Sequence, residues 1–528
     1  MQPAMNLGRL MSDTARLYKD RVSLVQGDRS WTWRELDDHI NATAQGLRNL
    51  PLDKGDRVLL LSANCPQMFE VMWAVFKSGL VLVPTNFRLT PSEVAYIAGN
   101  CGARAMVYGP GYAKHVDAAR LESSRLEHVI AIARPRSGEH SYEEVVAANS
   151  GAPCHEEVVS YDDLAWLFYT SGTTGRSKGA MLSHGMLTFV AANMLADLMP
   201  GLTVDDASLV VAPLSHGAGA HVPPNVARGA KTVLLGGSSF DAEEVWRLVE
   251  THRISNMFTV PTIVKMMVEH PAVDAYDHST LRHLVYAGAP MYREDQKLAL
   301  DKLGPVLVQY YGMGEVPGTI TYLPTHMHTA DDNDPMARPG TCGIPRTGME
   351  IVIRGDDGSE VPGGQQGEIC VRGPAVLGGY YENREANAKS FKDGWFHTGD
   401  LGKVDAEGFV YLTGRASDMY ISGGANVYPR ETEEVLLTHP AVSEVAIVGV
   451  PDPKWGETGV AVVVAAAGNQ PTPEELVTFL DGKVARYKFP RLFFFWDEIP
   501  KSAYGKVPKR LVKAQLYERG DLVEGESP

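Results

Sequence analysis

Residues 169–179 read YTSGTTGRSKG. Gly172, Gly175 and Gly179 permit sharp backbone geometry, and free N–H groups together with the hydroxyls of Thr170, Ser171, Thr173 and Thr174 can donate to phosphate oxygens. Lys178 adds a mobile positive charge. A short Gly/Ser/Thr cluster is usually a solvated polar turn, but a run of this length points to a polyanion. It is not the usual P-loop, which needs a GxxxxGK spacing with Ser or Thr directly after the lysine; here Gly179 follows Lys178.

The elements that must hold this loop alternate between strand and helix. Apolar strand-like runs occur at 57–61, 80–84, 105–108, 129–133, 209–211, 232–235, 257–260 and 284–287, mostly with helical periodicity between them. The stretch 31–50 reads as a helix, with Thr32 as N-cap and Glu35 completing a capping box. The loop itself follows the apolar run 164–168 and is expected to precede a helix. Alternation of this kind implies parallel sheets covered by helices, an α/β body. After about residue 338 the texture becomes β-rich and glycine-punctuated (349–354, 367–372, 409–412), as in a small β-rich lobe attached to the body. Beyond 414, helix (428–438), strands (442–450, 460–467) and helix (472–485) make a compact α+β unit. The expected division is a body at 1–414, a hinge at 415–418 and a small mobile C-terminal domain at 419–528.

From the 169–179 loop, and from an ordered series of motifs running from WTWREL at 31–36 to Lys506, the chain resembles the adenylate-forming enzymes. The resemblance implies a reaction: an acid and ATP give an acyl-adenylate, and the acyl group then passes to coenzyme A. In that reading the loop residues Thr170 to Gly175 and Lys178 bind phosphates. Gly288, Ala289 and Pro290, at the end of a strand, form the turn against adenine. In QYYGMGE at 309–315, Tyr311 stacks on adenine, Glu315 together with Thr170 holds Mg2+, and Tyr310, Gly312, Met313 and Gly314 complete the nucleotide wall. Asp400, in GWFHTGD at 394–400, has two acceptor oxygens suited to both ribose hydroxyls, and Arg415 also contacts the ribose.

The same resemblance makes Lys506 the catalytic lysine and His216 a residue near the acyl pocket, with Gly423 and Gly424 on the face presented to pantetheine and Trp455 near the CoA nucleotide. Two positions depart from the family pattern. Gly314 stands where the family has Thr or Ser, so a hydrogen bond to phosphate is lost, and Ser417 stands where a hinge Asp or Lys is usual. Val260, Met313 and Val316, with the small-residue stretch 216–220, imply an apolar acyl pocket for a neutral medium-chain, alicyclic or aromatic acid. A different acyl acceptor (amine, carrier-protein thiol or oxygen) and a catalytically impaired nucleotide binder are the alternatives.

Composition bounds the rest. A net charge of −15 argues against nucleic acid or anionic lipid as a partner. The five cysteines show no paired spacing of a zinc site or a disulfide framework, which fits a reducing cytoplasm. No apolar run is long enough to cross a bilayer, so a soluble enzyme is expected. The sequence leaves open whether it is a homo-oligomer. His326 and His328 read as surface or structural residues rather than metal ligands.

Overall fold

The computed structural model describes residues 3–170, 176–236, 240–289, 291–415, 418–422, 425–501 and 507–523. The alternation seen in the sequence becomes two large sheets. The first has seven strands, with Val81–Thr85, Arg57–Leu61, Ala105–Tyr108 and His128–Ala131 at its parallel centre. At one edge Lys178–Ser183 pairs antiparallel with Leu164–Thr170, which itself runs parallel to Val81–Thr85. The glycine-rich loop is therefore followed by a strand, not the expected helix. Thr170 and Lys178 are directly paired across the two strands, and the helix His184–Asp197 starts only after Ser183 caps it.

Among the described residues the second sheet has fourteen strands. Its parallel part holds Lys231–Leu234, Ala207–Val210, Asn256–Thr259, His283–Tyr286 and Leu307–Met313. These short runs of Val, Leu, Met and Phe are buried on both faces, which is why they lack polar alternation. The hairpin Leu307–Met313/Val316–Leu323 turns the sheet antiparallel, and Thr341–Pro345 carries it on to Val410–Arg415, Trp395–Val404, Gly367–Arg372 and Glu350–Arg354. The β-rich lobe thus shares one continuous ladder with the body.

Several element ends differ from the sequence reading. The helix near residue 31 starts at Trp33 because residues Arg29–Thr32 are used as a strand against Val22–Gln26; the capping box of Thr32 and Glu35 is present. The helix expected at 472–485 stops at Leu480, where Gly482 takes a φ of 76°. After residue 418 a five-stranded sheet carries hydrophobic clusters on its two faces. Val445 and Ile447 point into one, Ala446 and Val448 into the other, as strand alternation requires. Among the described residues no helix is long and apolar enough to cross a membrane.

Candidate active site

A cavity of about 1300 Å³ opens where strands of both sheets end. Ala63, Asn64, Asn86 and Phe87 line it just beyond strands of the first sheet, and Val211, Leu235, Val260 and Gly288 do so beyond parallel strands of the second. Open α/β sheets bind ligands at the carboxyl ends of their strands, because the connecting loops diverge there. Gly288 adopts a φ of 85°, a left-handed conformation that favours glycine, and turns the chain along the cavity wall.

Glu315 sits beside the tip of the Leu307–Met313/Val316–Leu323 hairpin and is only 5% exposed. Its Oε1 accepts the hydroxyls of Thr170 (2.8 Å) and Tyr380 (3.0 Å). Tyr380 is brought there by backbone bonds between 378–381 and the strand after the loop: Met181 N–H donates to Gly379, Gly378 N–H to Met181, and Tyr381 N–H to Gly179. The Lys178 ammonium lies 5.2 Å from the centre of the Tyr380 ring. Burial, followed by the Glu315 charge, pushes the Tyr380 hydroxyl far above its usual pKa, so it stays a donor.

A second cluster is centred on Asp400. Tyr311 donates to Oδ2 at 2.6 Å, and Arg415 Nε lies 2.9 Å from Oδ1. Asp400 and Arg415 are Cα partners in the antiparallel ladder, so the strand register itself builds the ion pair. The Asp400 charge is the main reason the guanidinium pKa is raised, while burial and then Asp400 push the Tyr311 phenol well up. Arg415 lines the cavity with Thr398, Gly399 and Leu401, and Asp400 with Tyr311 adjoins them through the bond to Arg415.

The third part is apolar. Trp166, Phe168, Leu187, Phe258, Val260 and Met313 line it. Phe258 stacks on Tyr310 at 5.6 Å, and a β-carbon on Gly217 would meet the Phe258 ring at 2.6 Å. His216 Nδ1 is 3.0 Å from Ser215 Oγ, and its ring meets Phe168 edge-on at 5.4 Å.

The structure therefore gathers Thr170, Lys178, His216, Gly288, Tyr310, Gly312, Met313, Gly314, Glu315 and Arg415 around one cavity, with Tyr311 and Asp400 against its wall. Ala289 follows Gly288 and is exposed. Trp455 is elsewhere, between Lys454 and Arg491, each 5.0 Å from its ring. Ser171, Gly172, Thr173, Thr174, Gly175, Pro290, Ser417, Gly423, Gly424 and Lys506 lie outside the described residues. His328 is buried, with Nε2 3.1 Å from the Tyr286 hydroxyl, and His326 is exposed, in keeping with structural and surface roles. Tyr380 and Phe168 escaped the sequence reading. Tyr380 had no local signal, whereas Phe168 could have been flagged as the end of the apolar run 164–168 that leads into the loop.

The AMP-binding enzyme family matches residues 11–381, and the C-terminal domain of AMP-binding enzymes matches 431–506. A feruloyl-CoA synthase of Amycolatopsis sp is 37% identical over 504 residues, covering 95% of this chain and 97% of that protein. The amide bond synthetase McbA from Marinactinospora thermotolerans superposes with a TM-score of 0.85 at 29% identity, over 96% of this chain and 99% of that one. The anthranilate CoA ligase AuaEII, solved with anthranoyl-AMP, gives a TM-score of 0.88 at 25% identity over 98% of both chains.

Proposed function

The chain belongs to the AMP-binding enzyme family, and from that premise we propose that it is an ATP-dependent acid:CoA ligase. A carboxylate oxygen attacks the α-phosphorus of ATP and pyrophosphate leaves; the thiol of CoA then attacks the acyl carbon and AMP leaves. The observation that carries this reading is the meeting of the Glu315 and Asp400 clusters with an apolar compartment in one cavity.

Each cluster has a task in such a reaction. An acid approaching a polyphosphate must overcome like charge and be held in line with the leaving group. Lys178 and the loop hydroxyls bind the β- and γ-phosphates, and Lys506 supplies the ammonium beside the α-phosphoryl group. Asp400 is held rigid by Tyr311 and Arg415, and the lone pairs those bonds leave unused accept the ribose hydroxyls. Glu315 is a buried carboxylate that makes no ion pair with Lys or Arg among the described residues, and its neighbours are hydroxyls. Such hard oxygen donors fit Mg2+. When bound, that ion neutralises phosphate charge.

We assign the division of labour between a body at 1–414, a hinge at 415–418 and a C-terminal domain at 419–528 that rotates between half-reactions, with Gly423, Gly424 and Trp455 on the CoA side. A cytoplasmic setting, where ATP and CoA are supplied, fits this chemistry. The acid is neutral and aromatic. The apolar compartment favours it, since the aromatic residues Phe258, Tyr310 and Trp166 line it, and two of the similar proteins are named for feruloyl and anthranilate groups.

The deciding experiment measures AMP release and thioester formation over a panel of aromatic, alicyclic and medium-chain acids, with and without CoA. CoA-dependent thioester is expected with at least one aromatic acid; turnover that ignores CoA rejects the ligase reading. The similarity to an amide bond synthetase favours an amine acceptor as the second reading. Amide product with an added amine, in the absence of thioester, would establish it instead.

A further inference from the structure

Among the described residues, Glu368, Cys370 and His397 form a group of metal-capable side chains whose donor atoms all lie within 4.8 Å of one another. The strand geometry builds it. Cys370 and His397 are Cα partners on the antiparallel strands Gly367–Arg372 and Trp395–Val404, and Glu368, two residues before Cys370, shares its face. The irregularity between the pairs Cys370/His397 and Glu368/Leu401 falls on the partner strand, where Thr398, Gly399 and Asp400 stand opposite Ile369 alone. His397 Nδ1 stands 2.7 Å from Glu368 Oε2 and 3.4 Å from Cys370 Sγ. The other oxygen of Glu368 accepts the Gly399 N–H at 2.9 Å, next to Asp400.

We propose that Glu368, Cys370 and His397 form a Zn2+ site, open to the cavity at its fourth position, through which the metal weakens nucleotide binding at Asp400. Imidazole, thiolate and carboxylate together are a Zn2+ donor set, and the sulfur disfavours Mg2+ and Ca2+. With metal–ligand bonds of about 2.0–2.3 Å, donor atoms in a tetrahedral site stand about 3.3–3.7 Å apart. Shifts of under about 1 Å therefore convert the existing hydrogen-bonded trio into ligands. Glu368 and His397 line the cavity, which gives the ion an entry path.

Coordination displaces the Cys370 thiol proton to water while the Zn–S bond forms. Drawing Glu368 onto the metal stretches its bond to Gly399 and moves the bulge that holds Asp400; this consequence rests on the nucleotide role proposed above, whereas metal binding does not.

The test uses the full-length chain and Co2+ as a spectroscopic probe. One equivalent is expected to produce a thiolate-to-cobalt charge-transfer band that Zn2+ abolishes. Cys370→Ser and His397→Gln should lose the band, while Cys65→Ser and Cys154→Ser keep it. Should Cys370→Ser fail to fold, Glu368→Gln retains the thiolate and is expected to weaken Co2+ binding roughly tenfold or more. Absence of the band, its survival in Cys370→Ser, or unchanged affinity in Glu368→Gln overturns the site. Because the readout is metal binding, a negative result leaves the ligase reading standing, and an inactive chain that shows the band does the reverse. In the active enzyme Zn2+ should raise KM for ATP, and not in Cys370→Ser.

Discussion

Gly314 lies against Phe168 so closely that a β-carbon at 314 would stand 2.6 Å from the Phe168 ring and 2.4 Å from Thr170 Cγ2. The space that a hydroxyl side chain fills in the family pattern is already occupied, so glycine here is a packing requirement as well as a departure.

Restoring Thr at 314 should therefore harm the protein. Gly314→Thr is expected to cost about 1–3 kcal/mol of stability through overpacking and to lower adenylation by displacing Thr170 from Glu315. Combining it with Phe168→Ala should recover part of the loss. Urea unfolding and pyrophosphate exchange read the two effects, and a fully stable, more active Gly314→Thr enzyme would contradict the crowding argument.

Tyr380→Phe removes one donor from a buried carboxylate while leaving the ring beside Lys178. A hydrogen bond to a charged group contributes about 1.5–3 kcal/mol, so kcat/KM for ATP is expected to fall roughly 10- to 100-fold, with a raised requirement for Mg2+. Steady-state kinetics at several Mg2+ concentrations checks this. An unchanged Mg2+ dependence would separate Tyr380 from the metal.

Lys506→Ala is expected to abolish adenylation while the chain stays folded and still accepts a pre-formed acyl-adenylate for thioester synthesis. Comparing the two half-reactions is the measurement. Equal losses in both would remove the lysine from the first step.

His184, His221, His283 and His328 are buried, and burial lowers each pKa from 6.5 to about 4. The unfolded chain therefore binds more protons than the folded one between these values, and stability is full above about pH 6.5 and lost as pH falls towards 4. Each histidine contributes a slope of about 1.4 kcal/mol per pH unit in that window. Denaturant unfolding from pH 4 to 8 should show the decline, and His328→Gln should make it shallower; a flat profile would exclude neutral buried histidines as its source.

The strands that hold the cavity were legible because continuous apolar runs such as that at 105–108 have few other fates. The Glu315 and Asp400 motifs were legible because local sequence carries them. Tyr380 was not, since its position depends on backbone bonds to Gly179 and Met181, two hundred residues away along the chain. The strand after the loop was missed for a related reason: residues 178–183 have no strand-like alternation of their own and are extended because Leu164–Thr170 offers a free edge. The Glu368, Cys370 and His397 group is likewise a product of register, invisible to any search for closely spaced ligands in the sequence.

Because one ladder runs from the parallel strands through the hairpin beside Glu315 to the strands bearing Asp400 and Arg415, the apolar wall and the Asp400 cluster are mechanically in series. In the proposed reaction, an oversized acid wedged against Phe258 or Met313 would load the same backbone that carries the sugar's proposed ligands. Selectivity among acids is then felt as turnover as much as affinity, and altered preference is most cheaply engineered by trimming wall side chains while leaving the hairpin length untouched.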